Sequence, residues 1–225
     1  MSEVTVVLPA YNEEEAIGRV IDEIKALPVD CDILVVDNNS SDDTYNIATY
    51  KDVKVITEPK KGKGNAMRRA FQLVSTPYII MMNSDYTYPA RYIEPILYRL
   101  STLDFDVVIG ERYERDRQSM SKINALGNRF LSWLASSLYS YKVSDVCTGM
   151  WGFKKTTLDK FSLSSDGFTL EADLFVNTAR NYCIVDSLPI SYRSRTNGSK
   201  AKLKGGQRKW QKIANKIFSL WHSLW

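Results

Sequence analysis

Apolar residues fall along this chain in short blocks divided by polar clusters. VTVVLP (4–9), DILVVD (32–37), VKVIT (53–57), YIIMMN (78–83) and DVVIG (106–110) are brief and rich in β-branched residues. Such blocks predict buried strands. Between them the spacing becomes helical: Ala16, Ile17, Val20, Ile21 and Ile24 share one face of a helix that Asn12 can cap, with Glu13, Glu14 and Glu15 in its first turn. SSDDT offers caps for a helix near 42–50, KKGKGNA enters one that runs to about Ser75, and Pro89 opens another. Strands alternating with helices through short links predict an α/β fold, a mainly parallel sheet with helices on both faces. Past residue 112 the alternation weakens and the chain turns amphipathic.

In such sheets ligands bind beyond the carboxyl ends of the strands. The polar clusters stand there: YNE after the first block, DNNSSDD after the second, NSDYTY after the fourth. PAYNEEEA is not the GxGxxG of a dinucleotide site, and no GxxxxGK[ST] follows a strand, so neither common phosphate loop is present. What remains is a sheet edge carrying Asp37 and Asp85. One such aspartate can accept hydrogen bonds from a base or ribose. Another can hold a hard divalent cation against a diphosphate. Each aspartate taken singly also reads as a helix cap.

Composition narrows the chemistry. The 225 residues are 44% hydrophobic, an ordinary globular balance. A single histidine, His222, argues against a histidine base or a multi-histidine metal site. Cys31, Cys147 and Cys183 lack CxxC spacing, which fits a reducing compartment. No secretory signal opens the chain and no apolar run has the roughly 18 residues of a membrane span. The net charge of +4 is unevenly placed: nothing after Asp186 is acidic, and nine basic residues follow it. An acidic body with a basic tail points to a polyanion.

PAYNEEEAI, VVDNNSSDDT, KGKGNAMRRAF, NSDYTYP, VSDVCTGMWGF and RTNGSK occur in this order over about residues 4–200. In these motifs the chain resembles glycosyltransferase family 2, with its GT-A fold, and within it the dolichol-phosphate or polyprenol-phosphate sugar synthases. The resemblance implies an inverting transferase that moves a sugar from a nucleotide diphosphate sugar to a dolichyl or polyprenyl phosphate. It places the nucleoside on Pro9, Tyr11, Glu13 and Asp37. It implies Mg2+ or Mn2+ on the diphosphate, held by Asp85 with Asn83 and Thr87, and it makes Asp85 and Arg112 the catalytic pair. Arg195, Ser199 and Lys200 would close over the same diphosphate. Lys63, between Gly62 and Gly64, reads either as a further positive charge there or as an exposed lysine at a helix start. The acceptor phosphate would meet Arg112, Lys122 and Arg129, with Asp145 and Thr148 beside it. Lys122 and Arg129 also read as surface charges on an amphipathic helix. Two positions depart from the pattern: Asn83 replaces the first carboxylate of the DxD motif, and Asn38 stands where many relatives carry a second aspartate.

A phosphate monoester, with a second pKa of about 6, is already an anionic nucleophile at neutral pH and needs cations rather than a base. A hydroxyl acceptor needs a base, for which Glu171 and Asp173 are the candidates. A lipid-linked acceptor requires membrane contact. Phe130, Leu131, Trp133, Leu134, Leu138 and Tyr141 form one apolar stripe. Trp210, Ile213, Ala214, Ile217, Leu220, Trp221, Leu224 and Trp225 form another, beside Lys209, Lys212 and Lys216. The second predicts an amphipathic helix on an anionic membrane surface, or a strut packed on the protein's own core. The expected organisation is a transferase domain over 1–204, with a nucleotide half (1–112) and an acceptor half (113–204), then a basic C-terminal helix over 205–225. The expected location is cytoplasmic, peripheral on the inner membrane face. Nucleic acid is not an expected partner, because it leaves Asp37 and Asp85 unexplained. A non-catalytic nucleotide-sugar-binding subunit stays open because of Asn83.

Overall fold

A computed structural model describes residues 2–115, 122–139, 143–167, 169–195 and 206–222. Seven strands form one sheet: β1 (Val4–Ala10), β2 (Cys31–Asp37), β3 (Lys54–Thr57), β4 (Tyr78–Met82), β5 (Val107–Arg115), β6 (Met150–Lys154) and β7 (Val185–Tyr192). Their order across the sheet is β3-β2-β1-β4-β6-β5-β7. All pairings are parallel except those of β6, which runs antiparallel between β4 and β5. The expected α/β architecture holds, and the five blocks of the first half become β1 to β5.

Eight α-helices accompany them among the described residues: α1 (Glu14–Lys25), α2 (Thr44–Tyr50), α3 (Lys63–Leu73), α4 (Ile93–Ser101), α5 (Lys122–Tyr139), α6 (Lys155–Leu158), α7 (Leu170–Arg180) and α8 (Gly206–His222). Strand residues alternate between two cores. Val6, Leu8, Val35 and Ile80 join Ile17, Ile21 and Ile24 of α1 and Ile93 and Ile96 of α4 on one face. Val7, Val36, Met81 and Ile109 join Met67 and Phe71 of α3, Leu131 of α5 and Phe175 of α7 on the other. Trp151 and Phe153 stack there at 6.0 Å, with Phe71 and Phe161 edge-on to Phe153.

The sequence pattern missed β6 and β7. MWGFK is short and carries a glycine, but Gly152 is where Ile96 and Leu100 of α4 press on the sheet, so a Cβ there would overlap them. VDSLPISY contains Pro189, which an edge strand tolerates.

The C-terminal helix, open between a membrane surface and a strut, packs as a strut over its described residues. Ile213 and Ile217 of α8 are buried in the second core, with Ala214 packed against it, and the helix lies on α5 and α7. Lys216 Nζ donates to Ser164 Oγ at 2.7 Å. Ile213, Ala214 and Ile217 are therefore covered by protein, while Phe218 is exposed. The side chains of Trp210, Leu220 and Trp221, and Leu224 and Trp225 themselves, lie outside the described residues, as does Tyr141.

Candidate active site

The carboxyl ends of β1, β2, β4, β5 and β7 and the start of β6 share one edge of the sheet. At its first part, the loop after β1 is fastened to the loop after β2. Asn12, at φ 51, donates its N–H to Ser40 Oγ at 2.9 Å and accepts Ser41 N–H through Oδ1 at 2.8 Å. Glu14 N–H donates to Asp42 Oδ2 at 3.2 Å, while Asp43 N–H donates to Glu14 Oε2 at 3.0 Å. The N-termini of α1 and α2 thus satisfy each other's open amides across the loops. Asn12 does not cap α1, as expected from sequence; it ties the two loops together. Glu13 is buried, and its N–H donates to Thr44 Oγ1 at 2.8 Å.

Inside this rim lies Asp37. Its Oδ2 accepts Ser40 N–H at 3.3 Å, whereas Oδ1 is buried and has no hydrogen-bond partner. An unsatisfied buried carboxylate oxygen is costly, and it suits an N–H or O–H supplied by a ligand. Asn38 has a different task. Its Nδ2 donates to the carbonyls of Glu58 and Lys60 at 3.0 and 2.9 Å, and its Oδ1 accepts Gly62 N–H at 2.7 Å. The amide clasps the 58–62 loop, which an aspartate could not do. Gly62 sits at φ 127, a conformation suited to glycine, where a Cβ would overlap the Asp166 carbonyl. Lys61 reaches over Tyr11, with Nζ 3.4 Å from its hydroxyl. Ser84 Oγ donates to the Pro9 carbonyl at 2.7 Å, joining the ends of β1 and β4.

After β4, Asn83, Asp85 and Thr87 present one amide oxygen, one carboxylate and one hydroxyl. Thr87 donates to Asp85 Oδ1 from its N–H at 3.3 Å and from Oγ1 at 2.5 Å. Arg195 Nη2 pairs with Asp85 Oδ2 at 2.7 Å. Lys63 Nζ donates to Asn83 Oδ1 at 2.7 Å and pairs with Glu171 Oε1 at 2.6 Å. Cationic nitrogens therefore already sit on the oxygens of positions 83 and 85. Hard oxygen donors that attract positive charge fit a divalent cation. Among the described residues no three of His, Cys, Asp and Glu converge on a metal position. The protein alone offers an incomplete shell, the kind that Mg2+ completes with phosphate oxygens and water.

The third part of the edge is Arg112. Its Nε and Nη2 donate to the Asp145 carboxylate, each at 2.5 Å, and its backbone N–H adds a bond at 3.2 Å. Asn128 Nδ2 donates to the same carboxylate at 2.7 Å. Burial alone would raise the Asp145 carboxyl, but the Arg112 charge and these hydrogen bonds hold it below its ordinary value. Burial alone would lower the Arg112 guanidinium, which the surrounding Tyr88 and Asp145 hold well above its ordinary value. Thr148 Oγ1 donates to the Gly110 carbonyl at 2.5 Å, and Tyr88 accepts Gly149 N–H at 2.6 Å. Gly149 lies so close to the Asn83 side chain that a Cβ there would overlap it. Asp145 and Thr148 are buried and hydrogen-bonded. They hold Arg112 and the end of its strand.

Of the two base candidates, Asp173 is fully buried. It accepts the N–H groups of Ser164 and Ser165, both at 2.8 Å, and so organises a loop. Glu171 stands in the site, paired with Lys63. Arg129 is exposed on α5, the Lys122 side chain is outside the described residues, and Lys200 and Ser199 lie outside them altogether. Sequence reasoning missed Asn128 and Tyr88. Asn128 had a signal: a polar residue in register with the buried positions Leu131, Ser132 and Ala135 of one helix.

Known proteins are similar to this chain in sequence and fold. A model described as glycosyl transferase family 2 matches residues 5–161. Glycosyltransferase AglJ of Haloferax volcanii is 30% identical over 89% of this chain, which spans 66% of that protein's length. A dolichyl-phosphate hexose transferase of the same organism is 30% identical over 88% of this chain and 86% of its own. Among solved structures, glucosyl-3-phosphoglycerate synthase from Mycobacterium tuberculosis, in complex with Mn2+, UDP-glucose and phosphoglyceric acid, superposes with a TM-score of 0.77. It is 21% identical, and the match covers 98% of this chain and 80% of that one. At that identity the likeness carries the GT-A fold alone.

Proposed function

The chain belongs to glycosyl transferase family 2, and on that premise we propose that it moves a sugar from a nucleotide diphosphate sugar to a dolichyl or polyprenyl phosphate. Asp37 Oδ1 accepts from the nucleoside, with Tyr11, Pro9 and Glu13 around it. Asp85, Asn83 and Thr87 hold Mg2+ or Mn2+ with the donor diphosphate, and that cation, when bound, offsets the charge of the departing nucleoside diphosphate. Lys63 and Arg195, which now occupy the oxygens of Asn83 and Asp85, turn to the diphosphate. A phosphate oxygen of the acceptor, set by Arg112 and Arg129, attacks the anomeric carbon from the opposite side. The new C–O bond forms as the bond to the diphosphate breaks, and its electron pair leaves with the nucleoside diphosphate, inverting the centre. The enzyme works at the cytoplasmic membrane face as a peripheral protein.

The observation that carries the phosphate acceptor is the state of the two acids. Asp173 is buried with one oxygen on two backbone amides and the other on Asn177, and Glu171 is held by Lys63, while a buried arginine paired with Asp145 stands at the same sheet edge. The dolichyl-phosphate hexose transferase among its relatives supports the same choice. A second reading, transfer to a glycan hydroxyl, keeps Glu171 as base because it does lie in the site. A screen of radiolabelled nucleotide sugars with a short polyprenyl phosphate separates them. Label extracted into organic solvent is expected. Label passing only to a glycan would overturn the lipid acceptor.

A further inference from the structure

Helix α5 is apolar on two sides. Its inner side, Leu131, Leu134 and Ala135, is buried, and Leu138 packs against the core that α8 joins. Its outer side carries Leu126, Phe130 and Trp133, exposed by 71%, 55% and 62%. These positions, four and three residues apart, form one continuous outward stripe. The rings of Phe130 and Trp133 lie 6.0 Å apart, and exposed Arg129 sits within the stripe. A helix facing only solvent on that side carries polar residues there. α8 shows the contrast: its outward positions are Gln211, Lys212, Asn215 and Ser219, with Phe218 the apolar exception among the described ones.

We propose that the outward stripe of α5, and not the C-terminal helix, is the surface by which this protein sits on an anionic bilayer. Two features name the bilayer as occupant. An arginine among a tryptophan, a phenylalanine and a leucine matches an anionic headgroup layer over hydrocarbon: the aromatic rings lodge at the boundary while the guanidinium meets phosphates. The stripe also continues the acceptor side of the site. Asn128, adjacent to Arg129 in sequence, holds the Asp145 carboxylate that aims Arg112. A lipid whose phosphate meets Arg112 would emerge along this helix. That second feature rests on the polyprenyl-phosphate reading; the first does not.

The test is sedimentation of the full chain with phosphatidylcholine vesicles, with and without phosphatidylglycerol. The wild type is expected to bind the anionic vesicles. The Phe130→Ser/Trp133→Ser double variant, with an unchanged melting temperature, should bind about tenfold or more weakly, about 1.4 kcal/mol per decade. Phe218→Ser on α8 should change binding less than about twofold. Equal binding by the double variant would overturn the proposal, and so would an equal loss from Phe218→Ser. Light scattering covers the remaining occupant: a wild-type dimer that binds no vesicles and is split by the double variant would make the stripe a contact between copies. Vesicle binding without transfer to any polyprenyl phosphate would leave the surface standing and sink the acceptor reading. Transfer to a short soluble phosphate without vesicle binding would do the reverse.

Discussion

Arg195 lays its guanidinium on the Asp85 carboxylate, Nη2 to Oδ2 at 2.7 Å, at the place where a divalent cation would bind. Two cations cannot share that oxygen at full strength. Arg195→Ala should therefore bind Mn2+ more tightly than the wild type without donor, by about tenfold if the contact is worth one charge-assisted hydrogen bond. Its transfer rate should nevertheless fall, since the diphosphate loses a partner. Asp85→Ala should bind no Mn2+ and transfer almost nothing with an intact fold. Calorimetric titration of Mn2+ with and without nucleotide checks both.

Asn83→Asp supplies the missing carboxylate beside Lys63. Metal affinity should rise, and Lys63 should be held more strongly by the new charge. Unchanged Mn2+ affinity in the same titration would show that position 83 does not reach the ion.

Asp145→Asn leaves Arg112 buried with half its partner gone. Breaking a buried pair costs about 3–5 kcal/mol, or a fall of about 10 °C in melting temperature for a chain of this size. The pH dependence has a definite sign. The folded carboxyl is held below its ordinary value of about 4, so its stabilisation is fully present above that value and is lost as pH falls through the lowered one. The gap between wild type and variant should be constant near neutrality and close in strong acid. Melting curves along a pH series measure it.

Glu171→Gln and Asp173→Asn separate chemistry from structure. Asp173→Asn replaces an acceptor of two loop amides and should lower the melting temperature. Glu171→Gln should lower the melting temperature less, since glutamine keeps an oxygen for Lys63. Its rate should fall less than tenfold if the acceptor is a phosphate, against about 10²–10⁴-fold if a hydroxyl must be deprotonated. Rates with each acceptor class decide.

Asn38→Asp removes two donors and turns a carboxylate toward the Glu58 and Lys60 carbonyls. The cost is about 2–3 kcal/mol, spent in opening the 58–62 loop. Nucleotide affinity should fall at least tenfold in direct binding measurements, with a smaller loss in melting temperature.

The first half of the fold is legible because its strands are continuous apolar blocks ending in polar clusters, which puts Asp37 and Asp85 on one edge from the sequence alone. Beyond residue 112 the signals fail for identifiable reasons. Gly152 and Pro189 answer to neighbours, α4 and the free sheet edge, that a local pattern does not contain. The stripe of α8 has the same period whether protein or lipid covers it, so periodicity could not tell Ile213 and Ile217 in a core from residues at a bilayer. Asn12 was read as a cap because caps are local, whereas its partners lie 28 and 29 residues away. The Arg112–Asp145–Asn128 cluster is likewise assembled from three separate segments: the family resemblance points to Arg112 and Asp145, whereas Asn128 leaves only the weaker signal of a polar residue in a buried register.

The antiparallel insertion of β6 between β4 and β5 has a consequence for how the molecule comes into being. β5 makes no ladder with β4, so residues 78–82 and 107–115 cannot join until residues 150–154 have emerged and threaded between them. The carboxyl edge is therefore unfinished during synthesis of the first two thirds of the chain, with the flanks of β4 and β5 open to mispairing. A fragment ending near residue 115 would carry the nucleoside rim but no lasting place for Arg112. The halves expected at 1–112 and 113–204 share one sheet through β6, so the donor and acceptor sides are expected to be completed together.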